Sequence, residues 1–246
     1  MTRAVLAVVA CAGLLAANVA RACRGCDVDD ADVVREGVLV WRGEGRLARE
    51  AGGGPHAASL PGVTLALGAP GLLEVGVSAA RRVTNLEGEP SPTFVDVELG
   101  AKKIVRAGSA QRGTGLSLAL APALLIPTHD DGPWVDLRAV GIASAHGPLG
   151  TAHVSLGVAW TRERETRFLA GLRLDGPEDW RLQPIAELSL ERGRKLRALG
   201  SVFAGFVVHA SESATLGFGV RRRRGEGQTT RAATAGFELE WPRELW

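Results

Sequence analysis

The sequence contains no tyrosine, one methionine and three cysteines, and aromatic residues make up 5% of it. No segment reaches the roughly 18 consecutive apolar residues of a membrane-spanning helix. The formal net charge of +2 lacks the strong basic excess that bulk nucleic-acid binding requires. These scarcities argue against a helical membrane protein and against a general nucleic-acid-binding protein.

Residue patterns for catalysis or metal binding are also scarce. The sequence has no Gly-x-Ser-x-Gly motif, and no histidine is expected beside a candidate serine on a neighbouring strand. The five histidines are scattered, without a ligand partner two to four residues away. His153 shares a strand face with Ser155, and we interpret it as an interior residue. The sequence therefore predicts no catalytic residue, no cofactor and no metal site.

The first 22 residues have the organisation of a cleaved signal peptide. Arg3 supplies a positive start, residues 4–17 form an apolar run of 14, and Ala20 and Ala22 provide small residues before Cys23. The run is too short to cross a membrane as a helix, and we therefore expect export. A lipoprotein acylated at Cys23 is an alternative, in which Ala20 would stand in place of the usual leucine.

The next segment, residues 23–35, carries two cysteines and a run of aspartates. Cys23 and Cys26 are candidates for a local disulfide in an oxidising compartment, or for two free thiols. The acidic run over residues 27–32 lacks the glycine and the glutamate that an EF-hand calcium loop uses. The sequence therefore predicts a solvated periplasmic tail ahead of a folded domain at residues 36–246.

From residue 36 onward, apolar and polar residues alternate. Residues 93–102 read Thr-Phe-Val-Asp-Val-Glu-Leu-Gly-Ala-Lys. Because successive side chains of a strand point to opposite faces, one face of such a strand is apolar and the other charged or bare. The pattern predicts strands at residues 36–47, 57–67, 72–81, 93–102, 115–126, 134–145, 151–161, 167–174, 182–191, 196–208, 214–221 and 231–241.

The predicted fold is all-β, a transmembrane antiparallel up-and-down β-barrel of about 12 strands. An even strand number puts both ends of the barrel on the periplasmic side. The alternative is a soluble exported β-sandwich, whose strands average about 5–6 residues and whose polar face meets open water. The long alternation, with many Gly, Ala and Ser residues on the polar face, favours the confined interior of a barrel.

In such a barrel the polar face of each strand lines the lumen. The lumen-lining candidates are Arg42, Glu44, Arg46, Glu74, Asp96, Glu98, Lys102, Asp136, Arg138, Arg173, Arg181, Glu187, Arg197, Glu238 and Glu240. Their charges nearly cancel, and cross-strand pairing is expected for most of them. A 12-stranded barrel is narrower than a porin, so we expect a narrow, partly obstructed pore.

Basic residues gather near the predicted outer loops, and tryptophans fall at strand ends. The expected outer basic rim comprises Arg192, Arg194, Lys195, Arg221, Arg222, Arg223, Arg224 and Arg231. Such a rim could meet lipopolysaccharide phosphates or anionic solutes, or form a solvated loop without a role. The tryptophans suit an aromatic girdle, with either Trp241 or Trp246 as the C-terminal assembly signal.

Three stretches resemble a known family of outer-membrane proteins, the MetA-pathway phenol-degradation family. They are residues 73–78 (Leu-Glu-Val-Gly-Val-Ser), residues 96–102 (Asp-Val-Glu-Leu-Gly-Ala-Lys) and residues 124–128 (Leu-Leu-Ile-Pro-Thr), and the similarity is collinear from about Val38 to Trp241. The resemblance implies a barrel in the cell outer membrane that acts as a transporter or porin. The sequence departs from the family in its lack of tyrosine, its short loops and Pro242.

The sequence thus predicts a passive channel or transporter for small solutes, with hydrophobic or aromatic compounds among the candidates. A structural or assembly barrel without an open pore is the alternative, and an outer-membrane lipid hydrolase is less favoured. The expected partners are outer-membrane lipid, lipopolysaccharide, the barrel-assembly machinery and an unidentified solute.

Overall fold

The computed structural model describes residues 29–50, 56–84, 91–94, 97–108, 111, 115–126, 135–161, 165–194, 198–225 and 228–241. The predicted signal peptide, Cys23 and Cys26 lie outside these residues. Among the described residues, no helix has the length and apolar character needed to cross a membrane.

The described chain is almost entirely β-strand. The strands are β1 (Leu39–Glu50), β2 (His56–Ala69), β3 (Leu73–Thr84), β4 (Ser91–Phe94), β5 (Val97–Arg106), β6 (Leu116–Ile126), β7 (Asp136–Gly147), β8 (Gly150–Trp160), β9 (Thr166–Asp175), β10 (Leu182–Gly193), β11 (Leu199–Ser211), β12 (Ala214–Gly225) and β13 (Gln228–Trp241). Each of the twelve predicted segments overlaps a strand. The largest extensions are at β5 and β12, which continue four residues past their predicted ends at 102 and 221.

The thirteen strands form an antiparallel barrel whose wall has twelve strand positions, here called staves. β4 and β5 both pair with β3, so they are successive parts of one stave. β1 pairs with β2 on one side and with β13 on the other, which closes the sheet without a free edge. The predicted fold class is confirmed.

The polarity of this barrel is the reverse of that of a soluble protein. Large apolar side chains are exposed on the outer wall, with Leu156 and Val220 more than 60% exposed. Charged side chains are buried inside, with Glu187 and Glu238 at most 2% exposed. An apolar belt around a polar interior is the pattern of a transmembrane barrel, whereas a β-sandwich would bury its apolar faces.

The turns give the barrel its orientation. Leu39 at the start of β1 lies opposite Trp241 at the end of β13, so both ends of the wall lie at one rim. Three connections at this rim are only two or three residues long, namely residues 70–72, 148–149 and 212–213. Short turns and chain ends belong to the periplasmic rim of such barrels. Trp41 stacks on Trp241 at this rim, with ring centroids 6.0 Å apart, as part of an aromatic girdle.

Candidate functional site in the barrel lumen

Strand alternation turns most of the predicted lumen residues inward. Those on the inward face of their strands are Arg42, Glu44, Arg46, Glu74, Glu98, Lys102, Asp136, Arg138, Arg173, Glu187, Glu238 and Glu240. Arg181 lies before β10 and is exposed, which contradicts its prediction as a lumen residue. Asp96 and Arg197 lie outside the described residues.

The N-terminal segment, residues 29–38, enters the lumen, so the predicted solvated periplasmic tail is wrong for this part of the chain. Asp30, Ala31 and Val34 are buried. Ala31 packs against Ile104, Ala119 and Ile142, while Val34 packs against Val40 and Ala66. The sequence gives little signal for this, because an acidic run beside short apolar residues is also typical of a solvated tail.

Basic side chains of the wall hold this segment at its acidic end. Lys102 Nζ lies 3.2 Å from Asp29 Oδ1 and 3.3 Å from Asp30 Oδ1. Arg173 Nη1 lies 3.6 Å from the other oxygen of the Asp30 carboxylate, and Arg173 also forms two hydrogen bonds with Asp175. Each buried charge therefore has a partner of opposite sign, which buried charges require.

The backbone of the segment is bound as well. The Val34 N–H donates to Glu74 Oε2 at 2.9 Å, and Arg42 bridges Glu74 and Glu238 at 3.3 Å and 2.8 Å. The Ala31 carbonyl accepts a hydrogen bond of 2.6 Å from the Gln111 side chain. The segment is thus part of the polar network of the wall and narrows the periplasmic half of the lumen.

One feature of this network resembles a catalytic arrangement. Ser144 Oγ lies 2.7 Å from His153 Nδ1, and His153 Nε2 lies 3.3 Å from Asp175 Oδ2. The sequence-based expectation that no histidine stands beside a serine on a neighbouring strand is therefore wrong, since Ser144 and His153 are directly opposite on β7 and β8. Ser144 is fully buried, and its hydroxyl oxygen accepts a hydrogen bond from the Ala31 N–H. This geometry anchors the N-terminal segment and covers the hydroxyl.

A second buried pair lies higher in the lumen. Arg221 donates to Glu187 at 2.9 Å and to Ser201 at 2.8 Å, and its guanidinium lies 5.2 Å from the centre of the Phe203 ring. Arg221 and Glu187 are almost completely buried. The prediction of Arg221 as an outer rim residue is therefore wrong. Its alternation with Thr215, Gly217 and Gly219 along β12 is the signal that could have shown this.

The other predicted rim residues divide between the two faces of the wall. Arg223 is on the inward face of β12 and lines the lumen. Arg222, Arg224, Arg231 and Arg192 are exposed on the outward faces of their strands near the extracellular rim, and Arg194 is exposed just beyond β10. Lys195 lies outside the described residues. Most of the arginines predicted to form a rim on the outer loops therefore lie on the outward faces of strands, where they form a basic sector of the outer wall.

Above the N-terminal segment the lumen contains a cavity of about 520 Å³. Asp29 and Asp30 lie at its periplasmic end, and Arg138, Glu191 and Arg223 lie near the extracellular strand ends. Its charged lining comprises five bases and five acids: Arg42, Lys102, Arg138, Arg173 and Arg223 against Asp29, Asp30, Glu74, Glu98 and Glu191. In the part of the chain that the structure describes, no group of three or more His, Cys, Asp or Glu residues could hold a metal ion.

No protein-family model matches the sequence, and no curated protein matches it significantly. Solved structures with the same fold do exist. The COG4313 outer membrane channel from Pseudomonas putida F1 has a TM-score of 0.67 at 11% identity, covering 88% of this chain and all of that one. The NanC porin has a TM-score of 0.58 at 8% identity, covering 80% of this chain and 98% of that one.

A translocator has the same fold. The translocator domain of the autotransporter NalP from Neisseria meningitidis has a TM-score of 0.54 at 14% identity, covering 85% of this chain and 90% of that one. At these identities the likeness establishes the twelve-stave outer-membrane barrel fold. It does not distinguish a channel from a translocator, and that distinction depends on the lumen.

Proposed function

We propose that this protein is a passive outer-membrane channel for small solutes. The observation that carries the proposal is the cavity of about 520 Å³ inside the barrel, which is bounded at its periplasmic end by Asp29 and Asp30. A lumen wide enough for a solute and narrowed by residues of the same chain suits a small pore. The fold shared with an outer membrane channel and a porin supports this proposal.

The lining of the cavity favours weak ion selectivity. Rings of one charge select counter-ions, whereas here the bases and acids are equal in number and several are paired. The Glu98 carboxylate in this lining pairs with Arg138. Hydrophobic or aromatic compounds remain candidate solutes only through the resemblance to the phenol-degradation family, which no match supports.

The alternative is a structural or assembly barrel without an open pore. The buried N-terminal segment favours this alternative, because Ala31 and Val34 fill space that a solute would need to cross. Lipid hydrolysis is less favoured, since the serine hydroxyl that is hydrogen-bonded to His153, that of Ser144, is covered by Ala31. Insertion by the barrel-assembly machinery, with Trp241 or Trp246 as the signal, is part of the proposal.

Single-channel recording of the refolded protein in a planar bilayer tests the proposal. We expect small conductance steps from the intact protein. Deletion of residues 29–34 removes Ala31, Val34 and the acidic partners of Lys102, and should raise the conductance several-fold.

Deletion of residues 23–28 is the control of equal length, and it should change the conductance much less. Folding of all three proteins is checked by heat-modifiable mobility on gels. If neither the intact barrel nor the 29–34 deletion ever conducts although both are folded, the structural alternative replaces the channel.

A further inference from the structure

Three arginines form a row across adjacent strands on the outer wall. Arg231 of β13 lies directly opposite Arg49 of β1 on one side and Arg222 of β12 on the other. All three side chains are exposed and belong to the outward faces of their strands. The row crosses the closure of the barrel, so it joins the first strand to the last two.

This row is electrostatically unfavourable by itself. Residues directly opposite on neighbouring strands have Cβ atoms roughly 5 Å apart, and like charges in such positions destabilise a sheet. Within the described residues, Arg49, Arg222 and Arg231 form no ion pair with a carboxylate. Guanidinium groups are well suited to bind phosphate through paired hydrogen bonds. An external anion bridging the row would turn the repulsion into attraction.

The surface beside the row fits an acyl chain. A groove of about 750 Å³ lies on the outer wall, and its lining includes the three arginines and apolar residues of β1, β11, β12 and β13. Ala233 lies between the larger Leu47 and Val220, and Ala204 lies on the far side of Val220. The small alanines beside larger apolar side chains leave space for this groove on the outer wall, and the surface of the groove is largely apolar.

The position of the row identifies the leaflet. Arg49 is near the end of β1 opposite the rim where Leu39 meets Trp241, so the arginines are at the extracellular end of the wall. The apolar residues Leu47, Ala233 and Val220 are each two positions nearer the middle of the membrane. A ligand here needs a phosphate at headgroup level and an acyl chain directed into the bilayer.

We propose that Arg49, Arg222 and Arg231 and the adjoining groove form a binding site for one phosphorylated acyl glycolipid of the extracellular leaflet, the lipid A part of lipopolysaccharide. The phosphate is held by the arginine row, and one acyl chain lies in the groove along Ala233. The site is on the outside of the barrel, so it does not depend on the channel proposal. A barrel that never conducts could still bind lipid A at this site.

Native mass spectrometry of the folded protein in detergent, titrated with purified bis-phosphorylated lipid A, tests this site. We expect one tightly bound lipid A per barrel. The triple variant Arg49→Gln, Arg222→Gln, Arg231→Gln should weaken binding at least tenfold, because the phosphate loses its charged partners. Ala233→Phe should weaken the same binding without changing charge, because the ring fills the groove.

The matched control is the triple variant Arg106→Gln, Arg181→Gln, Arg192→Gln, which removes three exposed arginines outside the row. It should bind lipid A as the unmodified protein does. Dephosphorylated lipid A should bind at least tenfold more weakly than the phosphorylated form, and phosphatidylglycerol should not displace the latter at equal concentration.

Several outcomes would overturn the proposal. Equal lipid A binding by the two triple variants would mean that the row is not the site. Effective competition by phosphatidylglycerol would mean general attraction of anionic lipid. If the arginine variants shift the protein from dimer to monomer and leave lipid A binding unchanged, the row is an interface between two copies of the chain. Heat-modifiable mobility confirms that each variant is folded.

Discussion

At the scale of single residues, the same side chain has opposite consequences on the two faces of a strand. Leu99 is 43% exposed on the outer wall, although it is an apolar residue. Its neighbour Glu98 faces the lumen and pairs with Arg138. In a membrane barrel the solvent of the outer face is lipid, so leucine there is stable and a charge is not.

This contrast predicts the effect of placing one arginine on either face. Leu99→Arg should lower the free energy of unfolding by about 2–4 kcal/mol, the cost of a basic residue on the lipid face near mid-membrane. Ser78→Arg should cost much less, because Ser78 lies on the lumen side directly opposite Glu98 and the new guanidinium gains a partner. Urea midpoints in lipid vesicles measure both. Equal losses would mean that the two faces are assigned the wrong way round.

At the scale of strands, glycines create the space that one buried ring needs. Phe203 on β11 is 2% exposed inside the barrel, packed with Ile185 and Val207. Its ring lies across Gly205 on its own strand and Gly219 on β12, where an added Cβ would overlap with ring atoms. The ring also lies beneath the Arg221 guanidinium, so packing and ion pairing are coupled on these strands.

A methyl group at Gly219 should therefore disturb the barrel. Gly219→Ala is expected to destabilise the protein by about 1–3 kcal/mol, the usual cost of overfilling a packed interior. Gly200→Ala on β11 is the matched control, because its Cβ would have no heavy atom within 4 Å. Urea midpoints should fall for the first variant and stay near that of the unmodified protein for the second.

The double variant Gly219→Ala, Phe203→Leu provides a further check on the cause. If the loss comes from overlap with the ring, the smaller leucine should reduce the penalty of the alanine, measured against Phe203→Leu alone. An unchanged penalty would mean that Gly219 matters for a reason other than the Phe203 ring.

At the scale of the whole molecule, the balance of charge in the lumen decides what the pore would select. Five basic and five acidic residues line the cavity, contributed by the N-terminal segment and by strands all around the wall. Among the described residues of the lining, β5 supplies charges of both signs (Glu98 and Lys102), whereas each of the other contributing strands supplies charge of one sign. The balance is therefore a property of the closed barrel.

Removing acidic side chains from the cavity lining should leave an excess of positive charge in the pore. Glu98→Gln with Glu191→Gln leaves three acids against five bases in the lining, so the pore should become selective for anions. Reversal potentials under a salt gradient measure this. The control, Glu36→Gln with Glu212→Gln, changes two exposed acids outside the cavity and should leave the reversal potential unchanged. If the variant Glu98→Gln, Glu191→Gln conducts with unchanged ion selectivity, the charge-balance explanation is wrong.

The strands and their two faces were predictable from the sequence because they follow from a local rule. Side chains of a strand alternate with a period of two, so a run such as residues 93–102 shows its apolar face without any knowledge of its neighbours. The same rule places Lys102 and Glu187 in the lumen. The alternation was not continued along β12 as far as Arg221, and the prediction of Arg221 as an outer residue was wrong.

Which residues of the first and last strands meet was decided only by closure of the sheet. Closure brings Arg49 of the first strand beside Arg231 of the last, and it brings Glu238 to Arg42. The burial of the N-terminal segment also depends on closure, since Lys102 and Arg173, from different strands, reach Asp30 only inside a complete ring. The sequence determines the facing of each side chain because alternation is local, whereas partners depend on strand register and distance, which exist only in the folded wall.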